Sequence, residues 1–133
     1  MADNLTDTAE NLLLDWINVV GTPTRPTAPL KCRLMTANGS DTAAGTEVAN
    51  AGGSTYASQN VTVAAASVAG GATSNTSTLS FANMPACTVV GVEIWDSAGS
   101  PVRIWHGALV ASKTVNLGDT FEIPAGDLDL TLG

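Results

Sequence analysis

The chain has 133 residues, 44% of them apolar and only 13% charged, with a net charge of −7. That length buries one respectable core without metals or a disulfide framework, so a single domain over 1–133 is the natural reading. Five scattered Lys and Arg cannot neutralise a phosphate backbone or dock on an anionic bilayer, which excludes nucleic acid and membrane as direct partners.

The opening MADNLTDTAENLLLDWINVV carries four acidic residues and no basic n-region, so no secretory signal is expected. No run approaches the roughly 18 apolar residues of a membrane span. Leu5, Ala9, Leu12, Leu13, Trp16, Ile17 and Val20 recur at helical spacing and predict one amphipathic helix over 4–20. Asp3 is the expected N-cap, with Asp7 and Glu10 near the positive end of the helix dipole. Gly21 is the expected left-handed C-cap, and Pro23 and Pro26 forbid continuation. The stripe either plugs one end of the chain's own sandwich or docks on a neighbouring subunit. A stiff proline-rich connector follows over 21–29.

LKCRLMT then alternates as a first strand, with Leu30, Cys32 and Leu34 on one face and Lys31, Arg33 and Met35 on the other. Residues 37–54 read as a long loop of Gly, Ala, Ser and Asn, with Val48 as its one branched apolar residue. It is either an arm reaching a partner or a floppy tip. After it come STYASQNVTVAAAS, a Gly-Gly turn and SNTSTLSFAN, to which Tyr56, Val61, Val63, Leu79 and Phe81 contribute core. CTVVGVEIWD and PVRIWHGALV form the clearest hairpin, with Asp96 and Gly99 in its turn. TVNL, GDTFEIP and DLDLTLG close the chain. Seven or eight short strands with turn signals every 8–12 residues predict an all-β fold, a single antiparallel β-sandwich over 30–133 with one N-terminal helix.

The residues of a catalyst are missing. Nucleophilic catalysis needs a base, and the sole histidine, His106, sits by alternation with Val102, Ile104, Ala108 and Val110. Zinc calls for three or four His and Cys ligands, and the chain has three such residues in all. The carboxylates of GDTFE and GDLD lack calcium-loop spacing. Glu93 and Glu122 would make a glycosidase pair only if the fold happened to oppose them. Trp95 beside Glu93 suggests a sugar platform or a ring covering the core. Cys32 and Cys87 read as two reduced thiols packing as small hydrophobes, with a disulfide between neighbouring strands as the alternative. The Asn-x-Ser/Thr sequons at Asn4, Asn38, Asn60 and Asn75 arise by composition. No cofactor and no metal are expected, and no enzymatic activity.

The ordered pieces AENLLLDWI, PLKCRLMT, GTEV…GGSTYASQNVTV, SNTSTLSFAN, VVGVEIWDSAGSPVRIWHGAL and LGDTFEIPAGDLDLTLG cover most of the chain. In that order they resemble a family of small β-sandwich proteins encoded among the structural genes of tailed bacteriophages. Members are described variously as tail-fibre-like, minor structural or capsid decoration proteins. Where the family commonly reads Tyr-Ala-Arg-Gln this chain has Ser58, so no role tied to that arginine carries over. The resemblance implies a virion component, made in the host cytoplasm, and brings no catalytic residues.

The leading expectation is a capsid decoration (cement) protein on the capsid surface. Its partner would be the major capsid protein of the same particle, and it would self-associate as a trimer or dimer. The alternative is a tail-tip or fibre-associated module that recognises a host-surface carbohydrate. Candidate interface residues are Leu5, Leu12, Trp16, Val48, Tyr56, Trp95 and Trp105, with Tyr56, Trp95 and Trp105 as the stacking rings for a sugar.

Overall fold

The apolar stripe at the start of the chain divides between two elements in a computed structural model of the protein, which describes residues 2–66 and 70–132. The last residue of the strand expected over 54–67, and the last of the closing strand, lie outside those residues. Ala2–Leu5 form a strand (β1) and Asp7–Ile17 the helix (α1), so the helix expected over 4–20 is shortened at both ends. Thr6, not Asp3, is the N-cap. Its backbone is extended, and its hydroxyl accepts from the Ala9 N–H at 3.2 Å. The same hydroxyl donates to the Arg103 carbonyl at 2.8 Å, and the Thr6 N–H donates to the Ile104 carbonyl at 2.9 Å. The cap is thereby tied to a strand 97 positions away.

At the other end Asn18, Val19 and Val20 are weak helix formers, and the helix unwinds among them. The Val20 N–H donates to the Asp15 carbonyl at 2.8 Å and the Val19 N–H to the Trp16 carbonyl at 3.4 Å, with Val19 at φ 57°. That is the Schellman arrangement, with a valine in the left-handed position expected for Gly21.

The remaining strands are β2 (Leu30–Ala37), β3 (Thr46–Glu47), β4 (Gln59–Val61), β5 (Ala72–Ser74), β6 (Leu79–Phe81), β7 (Cys87–Trp95), β8 (Arg103–Val115), β9 (Phe121–Ile123) and β10 (Asp129–Thr131). The fold is all-β with one helix, as the alternation predicts. The larger sheet runs β3–β2–β7–β8–β1–β10–β5, with β4 also on β2, while β6 and β9 pair separately. One pairing departs from the antiparallel expectation: β1 runs parallel to β10 and antiparallel to β8. It is the polar ADNL segment, which carries no alternation to announce a strand.

The core draws on both sheets. Cys32, Leu34, Val92 and Ile94 from the large sheet meet Leu79, Phe81, Phe121 and Ile123 from the β6–β9 pair. Phe81 lies between Tyr56 and Phe121, with ring centroids 6.0 and 6.2 Å apart. The loop over 37–54 is not the unanchored segment expected. It contains β3, the Val48 N–H donates to the Leu34 carbonyl at 2.9 Å, and Val48 is buried in the core. Cys32 pairs with Ile94, whereas Cys87 starts the same partner strand seven residues earlier. Those seven residues span about 23 Å, and a disulfide closes only over roughly 4–7 Å between Cα atoms. The alternative of a bridge between these two cysteines is excluded.

A β-branched side chain in the left-handed region carries a steric penalty that glycine avoids, and Val19 is almost fully exposed, so nothing is lost on truncation. Val19→Gly is expected to stabilise the fold by roughly 0.5–1 kcal/mol, the left-handed penalty less glycine's greater chain entropy. Urea unfolding of the two proteins measures the difference.

Candidate functional site

An amphipathic helix normally buries its apolar face, and α1 does so only at Ala9. Leu14, Trp16 and Ile17 are exposed, Trp16 to 69%, as is Val20 just past the helix end. The face of α1 that carries Ala9, Leu12, Leu13 and Trp16 forms one wall of an open groove of ≈ 590 Å³. The proline connector, Pro23 to Thr27, forms the other wall, and Val102, Ile104 and Trp105 of the second hairpin strand and its approach form the floor.

The connector is held in place by one buried carboxylate. Asp96 Oδ1 accepts from the N–H groups of Val102 at 2.7 Å and Ala98 at 3.3 Å, and Oδ2 accepts from the Thr27 N–H at 3.0 Å. The Ser97 N–H adds a bond to the Thr27 carbonyl at 2.9 Å. Asp96 therefore closes the β7–β8 turn and fastens the groove wall to it. Burial alone would raise its pKa, but the three backbone donors outweigh burial and hold it below the usual carboxylate range.

The opposite face of the large sheet carries a polar network. Glu93 and Arg103 are 1% and 8% exposed and pair at 3.1 Å. Glu93 Oε1 also accepts from the Gly45 N–H at 2.8 Å, and Oε2 from the Trp95 indole N–H at 3.0 Å. Arg103 Nη2 donates to the carbonyls of Ser40 and Asp41. His106 Nε2 lies 2.7 Å from Asp41 Oδ1, so the loop is clasped at three points. Its close approach requires Gly91: a Cβ there would stand 1.9 Å from Asn38 Oδ1 and 2.6 Å from the Gly107 carbonyl oxygen. Strict alternation had put His106 with Ile104 and opposite Arg103. A bulge, with Trp95 opposite Arg103 and Ile94 opposite Trp105, breaks that period, so Arg103 and His106 both reach the Glu93 face while Ile104 and Trp105 line the groove.

Four of the candidate interface residues thus come together: Leu5, Leu12, Trp16 and Trp105 all line the groove. The other three do not join them. Val48 and Tyr56 are buried in the core, and the Tyr56 hydroxyl donates to Glu47 Oε1 at 3.0 Å and accepts from the Leu34 N–H at 2.9 Å. Burial, with the Glu47 carboxylate beside it, pushes the phenol above its ordinary range. Trp95 is capped by the Arg33 guanidinium, 4.4 Å from the ring centroid, and Arg33 pairs in turn with Glu47 at 3.4 Å. Tyr56, Trp95 and Trp105 consequently share no open face on which a sugar could stack. The connector, Val102 and Asp96 are the parts of the site that sequence reasoning missed; the turn DSAGSP was the signal for Asp96.

Asp96 and Glu93 are both saturated by donors, and Glu122, exposed beside Ser80 on the smaller sheet, does not face Glu93. Among the described residues no group of three His, Cys, Asp or Glu is placed to hold a metal ion. No helix among them is long and apolar enough to cross a membrane.

A family model from podophages matches residues 4–131, nearly the whole length, and makes the chain a bacteriophage structural protein. The chain belongs to the family of the podophage GP4 fiber I protein gp80. No curated protein matches it. The expectation of a small phage virion component holds at that level, and the family description is that of a fibre protein rather than a capsid decoration protein.

Two substitutions probe the two tethers. Because the Asp96 pKa is depressed in the fold, its contribution is full above the unfolded value of about 4 and is lost as pH falls through the lower folded value. Asp96→Asn is expected to cost roughly 1–3 kcal/mol at neutral pH and to flatten the acid limb of a stability-against-pH curve followed by Trp fluorescence. Arg103→Met leaves Glu93 buried without its cation, for an expected loss of about 3–5 kcal/mol in urea unfolding. Amide exchange over Ser40 to Gly45 should accelerate with it.

Proposed function

We propose that the chain is a non-enzymatic component of the virion's fibre apparatus, and that it joins its neighbours through the groove between α1 and the proline connector. The single observation that carries this reading is the helix itself. A helix that buries one alanine while exposing Leu14, Trp16 and Ile17, with Trp16 on the groove, leaves apolar surface in water unless an assembly covers it. The fibre description of the matched family supports the location. A compact domain with few charges suits a capsid shell equally well, so those features do not favour the decoration reading. Direct sugar binding finds no support at Tyr56 or Trp95, whose rings are respectively buried and covered.

Quantitative mass spectrometry of purified particles tests the location. The chain should be present in the small symmetric multiples that a tail and its fibres offer, far below the major capsid protein. A ratio near unity would return it to the shell, and its absence from particles would overturn the virion role. Trp16→Asp tests the surface. Its side chain is mostly exposed, so the stability of the isolated protein should stay within about 0.5 kcal/mol. Incorporation into particles should fall by at least about tenfold, as expected when a central aromatic anchor is removed.

A further inference from the structure

Taking the groove as the assembly surface, as proposed above, we infer that its occupant is a basic amphipathic segment of another virion protein: apolar anchors for the groove, flanked by Lys or Arg for the helix carboxylates. At about 100° per residue, Glu10 falls between Ile17 and Leu14 on one flank of the groove-facing stripe, and Asp15 falls beyond Leu12 on the other. Asp7 adds a third exposed carboxylate in the first turn, and the last turn carries no basic residue. Among the lining residues Arg25 is the one cation. The α1 wall of the channel therefore carries an apolar stripe flanked by carboxylates and faces Arg25 on the connector wall, and charges of opposite sign across an interface both steer the encounter and select the partner.

A second copy of the chain fits this surface poorly. It would set its own Asp7, Glu10 and Asp15 against the same carboxylates, with only Arg25 on each side in compensation. Among the described residues no other face supplies clustered cations. Arg33 and Arg103 are held in ion pairs with Glu47 and Glu93, and Lys31 and Lys113 stand on different strands. The chain as a whole carries −7, so two copies repel before any contact forms.

Two measurements test the inference. In the first, a short amphipathic Leu/Lys peptide and its Leu/Glu counterpart, each fluorescein-labelled, are titrated with the full chain and followed by anisotropy. The Leu/Lys peptide should bind and the Leu/Glu peptide should not. Trp16→Ala should weaken Leu/Lys binding at least about tenfold, the loss of one anchor. Val110→Ala, the corresponding truncation at a side chain 93% exposed on β8, should leave it unchanged. Equal effects of the two variants, or binding of the acidic peptide, would overturn the inference.

In the second, benzoylphenylalanine replaces Trp16, or Leu12 in a parallel preparation, and purified particles are irradiated. The cross-linked peptide should come from another virion protein and carry Lys or Arg beside an apolar run. A cross-link to a second copy of this chain, or to an acidic segment, would overturn the inference. So would silence at both positions in particles where benzoylphenylalanine at Val110 does cross-link. In each of those cases the chain is still in the particle, so the fibre role stands while the partner does not; absence of the chain from particles removes the role itself.

Discussion

The Glu93–Arg103 pair is the constraint around which the rest of the structure is arranged. Two ionised groups at 1% and 8% exposure are tolerable only when every lone pair and donor is engaged. Here Gly45, Trp95 and the Ser40 and Asp41 carbonyls complete the set. The pair meets only because the bulge at Ile104 turns Arg103 onto the Glu93 face. That same bulge leaves Ile104 and Trp105 as floor of the groove, while the Arg103 and Ile104 backbone carbonyls receive Thr6 and fix the start of α1. One irregularity in one strand thus connects the clamp on one face of the sheet to the groove on the other.

That coupling explains which parts of the molecule were legible in the sequence. Strands whose alternation is long or whose turns are explicit, such as β2, the β7–β8 hairpin and β9, were read near their observed positions. The apolar spacing of α1 was equally clear and put Leu12 and Trp16 on one face, whereas Leu5, read as part of the same stripe, ends β1 and reaches the groove from there. Its start was misplaced because Thr6 and Asp3 are both good caps locally. What decides between them is a carbonyl 97 positions away. The parallel strand β1 was invisible, since ADNL has neither alternation nor β-branched residues and its pairing is wholly long-range.

The loop over 37–54 was misread for a related reason. Its anchors are backbone groups and glycines, among them the Gly45 N–H and the Ser40 carbonyl, and composition does not report them. Val48 looked available for a partner because it lay in that loop, and Tyr56, though also read as core, because its ring could stack on a sugar. Once β3 forms, both turn inward, and Tyr56 spends its hydroxyl on Glu47 and Leu34. A groove with carboxylates along its helix wall and an apolar bed was beyond reach from sequence, because it combines a helix with the floor and connector placed by Asp96.

The apolar surface of α1 is what a soluble domain would ordinarily hide, and here the fold holds it open beside a wall that Asp96 keeps rigid. Membership of a phage fibre family gives that exposure a context, since fibre parts persist as neighbours in an assembly. The most direct test of the account is a cryo-electron-microscopy reconstruction of the intact particle with this chain fitted into density. The account predicts the domain in the tail or its fibres, with Trp16 and Leu12 covered by a neighbouring protein. Density on the capsid shell with α1 facing solvent would contradict it.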